Sequence, residues 1–127
     1  MNVKLEMLKK LKKQKSINTS EKINSKKKEA TRWFVHLRDE ICKSFEIIEN
    51  TPTKDNNISF SRKEWEREGG GGGVISIMKG NVFEKVGVNI STVYGEFSEE
   101  FRGQIPGAEE DGKFWASGIS VVSHMFN

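Results

Sequence analysis

A run of five glycines, Gly69–Gly73, follows Arg67 and is the stretch of this chain best suited to binding an anion. Glycine has no Cβ atom, so its backbone can approach a ligand closely and present N–H groups to it. The guanidinium of Arg67 adds a permanent positive charge that can bind a carboxylate. We therefore take Arg67, Gly71 and Gly72 as candidate substrate-binding residues. A flexible linker or hairpin tip would have the same composition, and that alternative stays open.

The glycine run does not have the sequence of a phosphate-binding loop. Such a loop continues with Gly-Lys-Ser or Gly-Lys-Thr and then begins a helix, whose N-terminus holds the phosphate. Here the next residues are Val74–Met78, an apolar alternation that predicts a β-strand. The run is therefore predicted to lead into a sheet.

A polar row is predicted on one face of the next strand, because successive side chains of a strand point to opposite faces. One face carries apolar residues and is predicted to lie in the core: Val86, Val88, Ile90 and Tyr94. The other face carries Lys85, Gly87, Asn89 and Ser91. We take Asn89 and Ser91 as candidate substrate contacts. A half-solvated sheet face would show the same pattern, so a purely structural row remains an alternative.

The last strand alternates in the same way. One of its faces carries Gly118, Ser120, Val122 and His124. Four strand residues separate Ser120 from His124 by about 13 Å. That distance is too long for both side chains to bind one metal ion, but it suits two sides of a broad ligand.

Three segments of the chain, in this order, resemble the oxygen-dependent coproporphyrinogen III oxidase family. They are the charged segment before the glycines, Phe60–Glu68; the Glu-Lys-x-Gly-Val-Asn-x-Ser motif in Val82–Ser91; and the Gly-x-Ser-x-x-x-His motif in Phe114–His124. The resemblance covers about residues 24–127 and implies the N-terminal part of a longer oxidase domain. Residues 1–23 would then form a basic, partly disordered extension. Met125 departs from the family, which usually has proline there.

The resemblance implies a reaction. The family oxidatively decarboxylates two propionates of coproporphyrinogen III to vinyl groups in haem biosynthesis, which yields protoporphyrinogen IX. The co-substrate is O2, no organic cofactor takes part, and the enzymes form homodimers. The family's proton-donating histidine lies beyond Asn127, so the catalytic residues are unknown here. We expect the chain alone to be inactive.

The resemblance also implies roles for particular residues. Ser120 would contact the substrate, and His124 would bind a divalent metal cation. The remaining candidate substrate-binding residues are those described above: Arg67, Gly71, Gly72, Asn89 and Ser91. A single histidine without visible carboxylate or histidine partners is otherwise structural, and that alternative stays open for His124.

The positive charge of the chain is concentrated at its N-terminus. Residues 1–30 contain ten lysines and three glutamates, a net charge of +7, whereas the rest of the chain carries about −4. Such a leader can bind nucleic acid or an acidic membrane surface. No arginine or aromatic residue is interleaved with these lysines, so we favour a solvated extension and expect no nucleic acid as partner. Glu6 and the lysines exclude an integral membrane span.

The single cysteine, Cys42, cannot form an intrachain disulfide, which favours a reducing, cytoplasmic location. Two other functions stay open. The chain could be a non-catalytic truncated remnant, or a small basic module that binds nucleic acid through its lysines. The second alternative predicts binding that is lost with salt and on deletion of residues 1–28.

Hydrophobic periodicity predicts an α+β fold, an antiparallel sheet covered by helices. The resemblance implies that this fold is incomplete because the chain is truncated. A helix is predicted from Ser25 to about Asn50, with one apolar stripe: Ala30, Trp33, Phe34, Leu37, Ile41, Phe45 and Ile48. A loop is predicted over Thr51–Asn57. Strands are predicted from Ile58, around Ile75, after a Lys79–Asn81 turn, and from Phe114. The connection over Phe97–Gly112 is predicted to be irregular or briefly helical.

Overall fold

The computed structural model of the protein describes residues 2–53 and 57–127, and in them a long helix lies against a four-stranded sheet. Helix α1 spans Val3–Asn50 and is followed by β1 (Ser61–Glu66), β2 (Gly71–Met78), β3 (Phe83–Glu96), helix α2 (Glu99–Arg102) and β4 (Lys113–Met125). All neighbouring strands pair antiparallel in the order β1-β2-β3-β4. The predicted α+β class is confirmed.

Helix α1 ends at Asn50, as predicted, but it begins at Val3, well before the expected start at Ser25. Lysine, leucine, methionine and glutamate all favour the helix, so the charged leader continues the helix although its side chains are exposed. The boundary of the extension at residue 23 stays a prediction. Of the loop predicted over Thr51–Asn57, residues 54–56 lie outside the described residues.

The buried face of α1 is rotated relative to the predicted stripe. Trp33 and Ile48 are 56% and 50% exposed, whereas Arg38, Cys42 and Glu49 are buried. The rotation was not apparent from apolar spacing because two of the buried residues are charged. Around Cys42 the core consists of Met78, Phe83, Val86 and Val88, with Ile41, Phe45, Ile58, Phe60, Val82 and Ile119 packed against it.

The Glu49 side chain is 1% exposed and binds the turn between β2 and β3. Its carboxylate accepts hydrogen bonds from the backbone N–H groups of Asn81, of Val82 at 3.1 Å and of Phe83 at 3.0 Å. Burial raises the pKa of Glu49, but the hydrogen bonds from the N–H groups lower it further, so it lies below its ordinary value. Gly80 is required beside it, since an added Cβ would overlap the carboxylate.

Two more side chains from the end of α1 bind the segment that enters β1. Glu46 Oε1 accepts a hydrogen bond from the Phe60 N–H at 2.9 Å. The Asn50 amide accepts from the Ile58 N–H at 2.9 Å and donates to the Ile58 carbonyl at 2.8 Å. These contacts satisfy backbone groups that precede the sheet ladder. The end of α1 therefore holds both ends of the β1–β2 hairpin region.

Replacing Glu49 should destabilise the fold in a pH-dependent way. At pH 7 we expect Glu49→Ala to lower the free energy of unfolding by about 3 kcal/mol, because it leaves buried N–H donors without an acceptor. Since the folded pKa of Glu49 is depressed, the stabilisation is present above the ordinary value of 4.5 and is lost as pH falls through the folded pKa. Urea unfolding from pH 7 to 2 measures both effects.

The matched control is Glu40→Ala, which removes an exposed glutamate from the same helix. Its urea midpoint should stay close to that of the unchanged chain at every pH. The Glu49→Ala and unchanged chains should converge at low pH. A constant difference between them down to pH 2 would contradict the anchoring role of the ionised carboxylate.

The two edge strands differ in their protection against pairing with another chain. β1 carries charged side chains along its length: Arg62, Lys63, Glu64 and Glu66. β4 has no Lys, Arg, Asp or Glu from Phe114 to Met125, and its Val122 side chain is 55% exposed. Charged residues on an edge strand oppose edge-to-edge association. β4 is therefore the edge that can add a further strand.

We expect the 127-residue chain to self-associate through β4. The sedimentation coefficient should rise with concentration, and Val122→Lys should suppress the rise, because a lysine on the edge opposes pairing. Lys63→Val, which removes a charge from β1, is the reciprocal control and should enhance association. A monomer at all concentrations in the unchanged chain would contradict the expectation.

Candidate functional site

Helix α1 covers one face of the sheet, the face that contains Val86 and Val88, and the described residues leave the other face open. Residues directly opposite each other in an antiparallel pair share a face. Asn89 of β3 lies opposite Ser120 of β4, and Ser91 lies opposite Gly118. The predicted alternation is thus confirmed over residues 85–91 of β3 and 118–124 of β4. Tyr94, which was predicted to lie in the core, is instead 50% exposed, because it lies near the end of β3. The structure brings together Asn89, Ser91 and Ser120, three of the predicted substrate-binding residues.

A cavity of about 430 Å³ lies over these residues on the open face. Besides the predicted residues, it is lined by Trp65, Ile75 and Gly118, which we did not assign to the site from sequence. A signal for Trp65 was present, since it is the only apolar residue among the charged residues of β1. Its ring lies over Gly73, where an added Cβ would be 3.0 Å from the indole. The cavity therefore has an aromatic wall.

The Asn89 side chain has a defined orientation. Its Oδ1 accepts a hydrogen bond from the Ser76 N–H at 3.3 Å. The amide nitrogen Nδ2 is the other end of the group and lies 3.8 Å from the point where a Cβ of Gly87 would be. Because Oδ1 is engaged, Asn89 offers a donor to a ligand. With the hydroxyls of Ser91 and Ser120, the site can donate hydrogen bonds to a carboxylate.

The glycine run does not form the ligand-binding cradle that we expected. Residues 71–73 belong to β2, which pairs with β1 on one side and with β3 on the other, so their N–H groups lie within the sheet. Gly72 faces α1, where it lies near Phe34 and Val35. Gly71 is on the open face but has φ +85° and pairs with Val93 beyond the cavity. A substrate role for Gly71 and Gly72 stays a prediction without geometric support.

Arg67 lies at the far end of the open face. Its Nη1 donates to the Tyr94 carbonyl at 3.1 Å, and its guanidinium stands 5.4 Å from the centre of the Phe114 ring. Six strand residues separate Phe114 from Ser120, a distance of about 20 Å. The structure therefore does not bring Arg67 together with Ser120. Contact between Arg67 and the substrate remains a prediction.

His124 lies opposite Lys85, four residues along β4 from Ser120. Over residues 2–53 and 57–127, no three His, Cys, Asp or Glu side chains are close enough to form a metal site. A neighbouring lysine also opposes the binding of a cation. The residues around His124 therefore do not fit a divalent metal, and we derive no chemical step through one.

The chain is similar to a known protein family and to several curated proteins. Residues 29–127 match the family described as Coproporphyrinogen III oxidase. The oxygen-dependent coproporphyrinogen-III oxidase of Rickettsia bellii (strain OSU 85-389) is 59% identical over 107 residues, covering 81% of this chain and 38% of that protein. The Rickettsia felis protein of the same name is 60% identical over 99 residues, covering 76% and 36%. The chain belongs to the coproporphyrinogen III oxidase family, as its motifs predicted.

The chain spans about 38% of the length of the curated relatives it matches. The family match leaves out residues 1–28, which include most of the lysine-rich leader. None of the helices in the described part of the chain is long and apolar enough to cross a membrane. The shared region therefore comprises the end of α1 and the whole sheet, including the open face.

Two glycine substitutions should have different effects on stability, because one glycine is enclosed by neighbouring backbone and the other has open space around it. Gly71→Ala should lower the free energy of unfolding by at least about 2 kcal/mol, because φ +85° is strained for alanine and its Cβ would overlap the Thr92 carbonyl. Gly118→Ala should leave stability unchanged or raise it by about 0.5 kcal/mol, because its Cβ meets no atom within 4 Å. Urea unfolding measures both, and equal effects would contradict the assignment.

Proposed function

We propose that this chain provides the substrate-binding sheet face of an oxygen-dependent coproporphyrinogen III oxidase. The reaction is the oxidative decarboxylation of two propionates of coproporphyrinogen III to vinyl groups, with O2 as oxidant and CO2 and hydrogen peroxide as products. The observation that carries the proposal is the strand register that gathers Asn89, Ser91 and Ser120 beside Trp65 on one open face. The names of the relatives support the substrate and the oxidant.

The open face has the shape and chemistry that such a substrate requires. A tetrapyrrole needs a broad, largely apolar floor, and Trp65 and Ile75 supply apolar area. Gly118 has no side chain, so nothing projects from it into the space above the sheet. The carboxylates of the substrate need donors, which the Ser120 hydroxyl and Asn89 Nδ2 provide. A large apolar surface with a few oriented polar groups is typical of small-molecule sites.

A cation that we did not select from sequence lies across the sheet from Ser120. Lys63 of β1 lies opposite Ile75, which lies opposite Asn89, which lies opposite Ser120. Three strand spacings separate Lys63 from Ser120, about 14 Å in total. Lys63 can therefore bind one propionate while Ser120 binds another on the far side of the macrocycle. A charge-assisted hydrogen bond of this kind is stronger than a neutral one.

Two remaining features implied by the resemblance, a homodimer and a cytoplasmic location, are part of this proposal. A divalent cation at His124 is not, because the described residues around His124 do not fit one. No contact among the described residues bears on the dimer or on the location. The catalytic acid or base is also unassigned, because the polar side chains that line the cavity, Asn89, Ser91 and Ser120, are neutral amide and hydroxyl groups suited to binding carboxylates.

The test measures the binding of coproporphyrinogen III to the 127-residue chain under argon. Binding is detected by the quenching of Trp65 fluorescence. Gly118→Leu should weaken binding at least about tenfold, because the leucine side chain fills the floor of the cavity without disturbing the fold. Ser120→Ala should weaken it about fivefold by removing one hydrogen bond to a carboxylate. Trp65→Phe identifies the part of the signal that comes from the site.

The matched control is Gly103→Leu, because Gly103 also has open space around it but lies at the end of α2. It should leave both affinity and stability unchanged. Equal affinities for Gly118→Leu, Gly103→Leu and the unchanged chain would disprove a substrate role for the open face.

A further inference from the structure

The first half of α1 takes no part in the sheet or in the open face. Residues 2–26 are all exposed, and the first side chain that reaches the sheet is that of Lys27, whose ammonium lies 5.4 Å from the Trp115 ring centre. The family match begins only at residue 29. We call residues 3–26 the leader helix. At 1.5 Å per residue it is about 36 Å long.

The leader helix has an apolar face in its first three turns. Val3, Met7 and Leu11 are spaced four residues apart, so they lie one above the other, and all three are exposed. Leu8 is also exposed and lies at the border of this face. No residue of the described sheet covers the apolar face, since residues 2–26 are all exposed. The exposure of such an apolar face to water is unfavourable, which indicates that the face binds a partner.

The opposite side of the same turns is basic. Six lysines occupy positions 4 to 15, and Glu6 is the only acidic residue among them. At about 100° per residue, Lys9, Lys12 and Lys13 lie opposite the apolar face. Leu5 lies on that side too, and Lys10 flanks the apolar face. Lys9 and Lys13 are one turn apart and lie about half a turn from Leu11. Lys4 is beside the apolar face, where its long side chain can extend its charge outward. A basic helix with an apolar face is typical of peripheral membrane binding.

We propose that the leader helix binds to the surface of an anionic lipid bilayer. Val3, Met7 and Leu11 lie at the boundary between headgroups and acyl chains, and the lysines bind the lipid phosphates. Nucleic acid fits less well, because it would attract the lysines but leave the apolar face in water. The leader helix also contains no arginine and no aromatic residue for contacts with bases. This proposal is independent of the catalytic function.

The test is co-sedimentation of the 127-residue chain with vesicles at low ionic strength. Binding to vesicles of phosphatidylcholine with 30% phosphatidylglycerol, a composition chosen for the assay, should be at least about tenfold tighter than to phosphatidylcholine alone. Met7→Gln with Leu11→Gln should weaken binding about tenfold or more by removing apolar contact. Lys9→Gln with Lys13→Gln should weaken it by about fivefold for each lysine.

Leu5→Gln with Ile23→Gln is the matched control, because it removes the same number of exposed apolar side chains from outside that face. It should retain binding. Deletion of residues 2–23 keeps the exposed apolar residues of β4 and should abolish binding while leaving the urea midpoint unchanged. Binding that survives this deletion would overturn the proposal. So would tighter binding to a single-stranded oligonucleotide that Met7→Gln with Leu11→Gln does not weaken.

Discussion

The hydrogen bonds between the end of α1 and two backbone segments determine how the helix lies on the sheet. Glu46 and Asn50 bind the segment that enters β1, and Glu49 binds the turn between β2 and β3. A helix dipole disfavours carboxylates near its C-terminus, so these two glutamates would be unfavourable there without partners. Because backbone N–H groups supply the partners, the helix can dock fully only when the turn has formed correctly.

The same turn sets the register of β2 against β3, and the register decides which side chains are open to a ligand. A slip of one residue would exchange the two faces of a strand. Asn89 would then point under the helix, and Val88 would be exposed. By holding the backbone of the turn, Glu49 keeps Asn89 opposite Ile75 on the open face. An interaction on the covered side of the sheet thus maintains the site on the other side.

Period-two alternation predicted the face of residues 85–91 in β3 correctly, since apolar and polar or glycine positions alternate there. The alternation is broken at Thr92–Val93, and Tyr94 just beyond is half exposed. Glu49 could not be predicted in this way, because its partners are backbone groups that no side-chain pattern reveals. The glycine run was misleading for a related reason. Its composition indicates a loop or cradle, whereas the backbone of Gly71 is enclosed by neighbouring strands and Gly73 lies beneath Trp65. Only the pairing partners, which are distant in sequence, show this.

The arrangement of donors and cations on the open face limits the ligands that the face can select. A compact anion such as phosphate requires several donors or charges that converge on one point. Here the donors of Asn89, Ser91 and Ser120 lie together, but Lys63 lies about 14 Å away from Ser120 across the sheet. A small anion could contact either the three clustered donors or Lys63, but not both. A broad molecule with carboxylates on opposite rims can reach both, and the apolar area between them then contacts its rings.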